Sequence, residues 1–407
     1  MLTNGSVNVV SRIQATLKEA TEAMLSEETL VSRLRTRVPS IRETMDDIVQ
    51  RLSSEIPDVA RKQMRLVPNP TMESPLPEWG SRKRAYDIFV VIPIFNATDS
   101  QAAESINSVI RNFPLDCTCL VLYTNRPLIT LPGLINKDVD FVQFQEASFS
   151  LPRAYNSCVD YLRRTFSSRE EVIVFMDDDA EIIGSQEEIV VRNLNLIRDE
   201  EYVAVSGHYY DDSEPQSFFQ RSIHMTHTDD FVSRCPKPYC HGGAALMIKA
   251  KNFPAEGLPL DGLGGISLNI LLAKSAASLR QPADGWFLFN NPKLRVLHPR
   301  KNNLVQWSAT YLSYEIAWNL ALSRLDQQTR QLWKEKLQKC SSERKQRLVD
   351  KVNGHDSRET SAVLANLLLT CYYKQMLQTS IPYAAFQSME LKTHINLMSR
   401  RNETSRT

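Results

Sequence analysis

The chain has 407 residues, 42% of them hydrophobic, and its 48 basic and 47 acidic side chains leave a net charge of +1. That is enough material for a full α/β core with residues left over for a further region, and so even a balance excludes the strongly basic surface of a dedicated nucleic-acid or membrane-surface binder. Residues 1–13 lack the charged-then-apolar layout of a secretory signal, and the seven cysteines show no repeated paired spacing, so reduced thiols in a cytoplasmic protein are expected.

From Val7 to about Ile56 apolar residues recur at helical spacing: Ile13, Leu17, Ala20 and Met24, then Leu30, Leu34, Ile41, Met45, Ile48 and Leu52. Ser40 followed by Glu43 resembles a capping box after Pro39 and divides this stretch into at least two helices. Pro57, Pro68, Pro70, Pro75 and Pro77 then remove donors and fix φ, so this segment reads as a linker. Beyond it, short β-branched runs alternate with helical patterns: strands over Ile88–Ile92, Cys119–Tyr123, Phe141–Phe144 and Val172–Met176, and helices over Ala102–Asn112 and Arg153–Arg164. Such alternation predicts βαβ units and a largely parallel sheet. Further strands are expected at Val203–Ser206, Ala244–Ile248, Trp286–Phe289 and Leu294–Leu297. From about Leu304 the pattern is helical, chiefly over Tyr311–Leu325, Gln328–Leu337 and Ser361–Leu377. The apolar stretch from Ala362 to Tyr373 is interrupted by Asn366 and falls short of the roughly 20 residues a membrane span needs, so a buried helix is expected and no transmembrane segment.

The run Val172-Ile173-Val174-Phe175-Met176-Asp177-Asp178-Asp179 carries the chemistry. It drives an apolar strand into three consecutive carboxylates, which repel one another unless a cation or hydrogen-bond donors neutralise them. Hard oxygen ligands suit Mg²⁺ or Mn²⁺, which are commonly held by one or two carboxylates together with substrate phosphates. Ligands of parallel sheets bind beyond the carboxyl ends of the strands, where these aspartates lie. The bland reading is a solvated loop or a helix cap.

Other strand ends bear Val91-Ile92-Pro93-Ile94-Phe95-Asn96, Ser150-Leu151-Pro152-Arg153-Ala154-Tyr155-Asn156, Gly242-Gly243-Ala244 and Val296-Leu297-His298-Pro299. With the aspartates, these motifs resemble the family-two-like glycosyltransferases of the GT-A fold, over roughly Tyr86 to Lys301. The resemblance implies an α/β fold: a Rossmann-like, mostly parallel catalytic domain over 86–301, with helical regions over 1–64 and 302–407 and a proline-rich linker over 65–85. It implies a nucleotide-diphosphate sugar as donor and Mn²⁺ or Mg²⁺ as cofactor. The D-x-D motif would be Asp177 with Asp179, or the adjacent pair Asp178 and Asp179. Asp179 is then the expected direct ligand, and Asp177 faces the ribose or a metal-bound water. Two roles fit His298: third metal ligand, or hydrogen-bond donor to a phosphate. The expected donor-binding residues are Pro93, Phe95, Asn96, Asn125, Arg153, Asn156, Asp177, Asp178, Gly242 and Gly243. Arg153 and Asn156, three apart, share a helix face, one to meet the base or a phosphate and the other to cap the helix. The two glycines allow close backbone approach or make a tight turn.

The chain departs from the family in two places. Tyr123-Thr124-Asn125-Arg126 stands where acidic residues usually read the base, leaving Asn125 to meet a base edge. In the acceptor segment, Leu260-Asp261-Gly262-Leu263-Gly264-Gly265 holds one carboxylate, so Asp261 is the candidate general base, with Asp211, Asp212, Asp229 and Asp230 as alternatives. The aromatic-rich segment between Gly207 and Cys240 suits an acceptor-binding loop, because sugars stack on rings. The function expected is sugar transfer to an acceptor hydroxyl on a glycan, protein, lipid head group, small molecule or modified nucleic-acid base. A nucleotidyltransferase is the rival enzyme, disfavoured because Ile94-Phe95-Asn96-Ala97-Thr98 holds no glycine. A non-catalytic sugar- or nucleotide-binding module is the rival outside enzymes, and the single acceptor-side carboxylate is its support. The helical flanks brace the catalytic domain, bind the acceptor or build a homo-oligomer.

Overall fold

A seven-residue run, Ile-Phe-Val-Val-Ile-Pro-Ile, forms a strand in which every residue is buried, as a sheet covered on both faces requires. The structure, a computed structural model, describes residues 4–35, 38–54, 79–81, 86–94, 97–126, 139–146, 151–166, 171–184, 192–198, 204–210, 217–227, 245–258, 288–298, 326–352 and 357–378. Nine strands make one sheet: β1 (Trp79–Ser81), β2 (Ile88–Ile94), β3 (Thr118–Thr124), β4 (Asp140–Gln145), β5 (Val172–Met176), β6 (Glu181–Ile183), β7 (Ala204–Tyr210), β8 (Ala245–Lys249) and β9 (Leu288–Leu297). Their order is β1-β4-β3-β2-β5-β8-β7-β9-β6. Parallel pairing joins β2 to β3 and β5, β3 to β4, and β7 to β9. β8 runs against β5 and β7, while β1 and β6 run against β4 and β9 at the two edges. Six strands therefore share one direction, and the expected mostly parallel α/β fold is what the chain adopts.

The helices are α1 (Asn4–Leu25), α2 (Glu28–Arg35), α3 (Ile41–Ser54), α4 (Asp99–Asn112), α5 (Leu151–Phe166), α6 (Arg192–Arg198), α7 (Phe218–His227), α8 (Gln327–Val352) and α9 (Ser357–Gln378). Alternation along the strands separates two cores. Phe89, Val91, Val121, Phe144, Ile173 and Phe175 pack on α5 through Ala154, Tyr155, Cys158 and Leu162. Val90, Ile92, Leu120, Leu122, Val174 and Met176 pack on α4 and α6 through Ala102, Ile106, Val109, Leu194 and Ile197. α4 starts where Thr98 and Gln101 form a reciprocal capping box.

A third core unites both ends of the chain. Leu17, Met24, Leu34, Met45, Ile48 and Leu52 from α1, α2 and α3 pack with Leu348, Val352, Leu364, Leu368 and Tyr372 from α8 and α9. α7 joins them through the fully buried Phe219, with Phe218 against the same cluster and the Arg51 guanidinium 5.4 Å above its ring. These two phenylalanines belong to the helical packing, which corrects their assignment to a sugar-stacking loop: burial against apolar neighbours outweighs exposure to a polar ligand. Asn366, the polar break in the apolar run of α9, donates from Nδ2 to the Ser222 carbonyl of α7, which explains how a polar residue is tolerated there.

The two strands expected at 286–289 and 294–297 are one strand, β9. Its register against β7 jumps from Asn291 to Arg295 between Gly207 and His208, an interruption at Pro292, which has no N–H for the ladder. Residues 311–325 lie outside the described residues. No described helix is long and apolar enough to cross a membrane.

Candidate active site at the carboxyl edge of the sheet

Because β2, β3, β4, β5 and β9 run the same way, the residues that follow them collect at one edge: Ala97, Asn125 and Arg126, Glu146, Asp177 to Asp179, and His298. Strand order reverses between β2 and β5, since β3 and β4 lie to one side of β2 and β5 to the other. A crevice at such a reversal is where open α/β sheets bind ligands.

β5 ends at Met176, and the chain turns at once, with Ala180 N–H donating to the Asp177 carbonyl at 3.3 Å. Ser105 of α4 donates from Oγ to the same carbonyl at 3.1 Å, fixing the turn to the neighbouring helix. The turn delivers Asp177 Oδ2 to 3.6 Å and Asp179 Oδ1 to 3.2 Å from His298 Nε2. One ligand atom from each of the three residues lies within 4.8 Å of the others. Burial acts to lower the His298 pKa, but hydrogen bonding and attraction from Asp177 and Asp179 outweigh it and raise the pKa to about 9. Two carboxylates and an imidazole nitrogen form a donor set that fits a divalent cation such as Mn²⁺ or Mg²⁺. Tyr155, packed against Phe175 with ring centroids 4.4 Å apart and planes tilted by 54°, has its pKa raised by burial and by the charges of Asp177 and Asp178.

Asp178 turns away from this group. Its Oδ2 accepts the Ala97 N–H at 2.9 Å, just beyond the end of β2. Arg126 donates to the Ala97 carbonyl at 2.7 Å and from Nε to Asp99 Oδ1 at 3.0 Å. Asn125 lies beside it, with its Oδ1 at 3.5 Å from an Arg126 nitrogen. Pro93 is buried within β2, in register with Tyr123.

Arg153 and Asn156 do share a face of α5, as their spacing implies, but their side chains are occupied by protein partners. Arg153 donates from Nε to Glu146 Oε1 at 2.9 Å and Oε2 at 2.8 Å, and only 4% of its side chain is exposed. Tyr123 donates its hydroxyl to the same carboxylate; burial and then that hydrogen bond raise the phenol's pKa. Asn156 donates to the Leu258 carbonyl at 2.7 Å and accepts the Leu258 N–H at 2.6 Å. It lies inside α5, where it grips a loop and caps no helix end. Next to it, Gly257 has φ +75°, and a Cβ there would fall 2.9 Å from Asn156 Oδ1, so both backbone and space demand glycine. Arg163, two helical turns along α5, donates to the carbonyls of Pro254 and Phe253. Side chains of α5 thus hold the segment leading to Asp261 by its backbone.

Phe95, Asn96, Gly242, Gly243 and Asp261 lie outside the described residues. Glu146, Arg126 and Ser105 were not among the residues singled out from sequence. Glu146 carried the same signal as Asp177, a carboxylate directly after a buried strand.

No family model and no curated protein matches the chain. Solved structures do resemble it. One is the mannosyltransferase PcManGT from Pyrobaculum calidifontis in complex with GDP-Man and Mn²⁺, at 13% identity and TM-score 0.46, covering 97% of this chain and 100% of that one. Another is S. aureus TarS 1–349 in complex with UDP-GlcNAc, at 12% identity and TM-score 0.42, covering 79% of this chain and 91% of that one. The likeness lies in the layout of strands and helices.

Proposed function

We propose that this chain is a metal-dependent glycosyltransferase that moves a sugar from a nucleotide-diphosphate donor to an acceptor hydroxyl. The observation that supports it most is the convergence of Asp177, Asp179 and His298 within 4.8 Å at the carboxyl edge of the sheet, beside the crevice where strand order reverses. Asp177, Asp179 and His298 would hold Mn²⁺ or Mg²⁺, which offsets the charge that builds on a diphosphate leaving group. The rest is the work of protein groups. Pro93, Phe95, Asn96 and Asn125, at the ends of β2 and β3, are assigned to the nucleotide. Gly242 and Gly243, separated from β8 by Ala244, are assigned to close approach of the sugar. Arg153, tied to Glu146, and Asn156, tied to Leu258, are assigned to the donor side of the site, where those partners fix their positions. Asp261, three residues beyond Leu258, is assigned the proton of the acceptor hydroxyl.

Thermal-shift titration with UDP-, GDP- and CDP-sugars, with and without Mn²⁺, tests this reading, since a ligand that binds only the folded state raises apparent stability. A shift that needs both nucleotide and Mn²⁺ is expected. Asp179→Ala should remove the metal-dependent part while the metal-free protein stays folded. Release of nucleoside diphosphate on turnover supports sugar transfer; release of pyrophosphate points to a nucleotidyltransferase, and binding without turnover to a non-catalytic module.

A further inference from the structure

Taking the proposed site as premise, we infer that Asp178 is a positioning residue: it ties the β2–α4 turn to the turn bearing Asp177 and Asp179, and leaves ligation of the cation to its neighbours. Beyond Met176 the chain turns, with the Ala180 N–H on the Asp177 carbonyl, and the turn sends residues 177 and 179 to one side and 178 to another. The distances follow that division. Asp177 and Asp179 approach His298 Nε2 at 3.6 and 3.2 Å, whereas Asp178 Oδ2 takes the Ala97 N–H at 2.9 Å.

Ala97 is held from both sides. Its N–H is bound by the turn after β5, and its carbonyl accepts from Arg126 at the end of β3, which also grips Asp99 in the first turn of α4. Ala97 is 5% exposed and its N–H is held in a part-buried hydrogen bond, so loss of Asp178 takes away its protein acceptor, which costs stability and leaves the N–H to exchange with solvent. The Asp178 to Ala97 hydrogen bond crosses from β5 to β2, the two adjacent strands at which the order reverses. It therefore links the ends of those two strands, one end on the cation turn and the other directly after Phe95 and Asn96. Holding a binding loop in place beforehand lowers the ordering cost of taking up a ligand. The hydrogen bond needs an acceptor oxygen at that point and no charge, so asparagine should replace Asp178, although asparagine is a poor metal ligand.

The test compares D178A, D178N and D179A by three measurements: amide hydrogen exchange at Ala97, affinity for Mn²⁺ alone, and affinity for UDP, GDP or CDP in saturating Mn²⁺. In D178A, Ala97 exchange should accelerate and nucleotide affinity fall by about tenfold, with Mn²⁺ affinity held within about threefold of the parent. D178N should match the parent in all three, and D179A should lose Mn²⁺ affinity while keeping slow exchange at Ala97. Loss of Mn²⁺ affinity in D178N would overturn the inference by making Asp178 a ligand, and that variant decides the matter alone if D178A does not fold. Unchanged Ala97 exchange in D178A would overturn it as well. If the parent binds neither Mn²⁺ nor nucleotide, the glycosyltransferase reading falls, while exchange at Ala97 still decides whether Asp178 ties the turns together.

Discussion

At the end of β4, Glu146 meets the Arg153 guanidinium with both oxygens within 2.9 Å of Nε; at the end of β5, Asp177 and Asp179 meet an imidazole. Both groups sit at the same edge of the same sheet, yet they are neutralised differently. A guanidinium is charged at every physiological pH, so Glu146 has a permanent counter-ion and becomes part of the framework. An imidazole carries charge only while protonated, and a divalent cation can take the place of that proton. The contrast separates a carboxylate that shapes a pocket from a carboxylate pair that can change its partner.

The comparison breaks most severely at Arg153. Replacing it with methionine strands Glu146 in a site whose other side chain is 4% exposed, which should destabilise the fold by about 3–5 kcal/mol in urea denaturation. Adding Glu146→Gln to that variant should recover part of the loss, and a strictly additive double variant would show that the two are not coupled. A smaller effect is expected at Asn156. Its change to alanine leaves the buried Leu258 N–H and carbonyl without their partner, at a cost of about 1–3 kcal/mol. The smallest effect is a pH drift of the metal-free protein. His298 binds its proton more tightly when folded, with a pKa of about 9 against 6.5, so its contribution is complete below pH 6.5 and lost as pH rises through 9. Melting temperatures measured across that range should fall more steeply in the parent than in His298→Gln.

β2 and β5 were legible because each is an unbroken apolar run, and β5 was read at its observed limits, Val172–Met176. β1 and β6 were not, because three residues carry no periodicity to read and pairing at the sheet edges is their reason to exist. Phe218 and Phe219, in the aromatic segment before Cys240, misled for a different reason. A pair such as Phe218 and Phe219 suits a sugar platform and a helix interface equally well, and only the packing of α7 on α3 and α9 decides between them.

Residue chemistry and spacing alone determined that a carboxylate cluster follows a buried strand of a largely parallel sheet, because charge repulsion and apolar patterning act locally. They also placed Arg153 and Asn156 on one face of a helix. Tertiary structure decided which carboxylate faces which partner: His298 against Asp177 and Asp179, Ala97 against Asp178, Glu146 against Arg153, Leu258 against Asn156. Glu146 and Arg153 are seven residues apart, but the other pairings join segments far apart in the chain, and those at the cation turn exist only once strand order and direction have brought the ends of β2, β5 and β9 to a common edge.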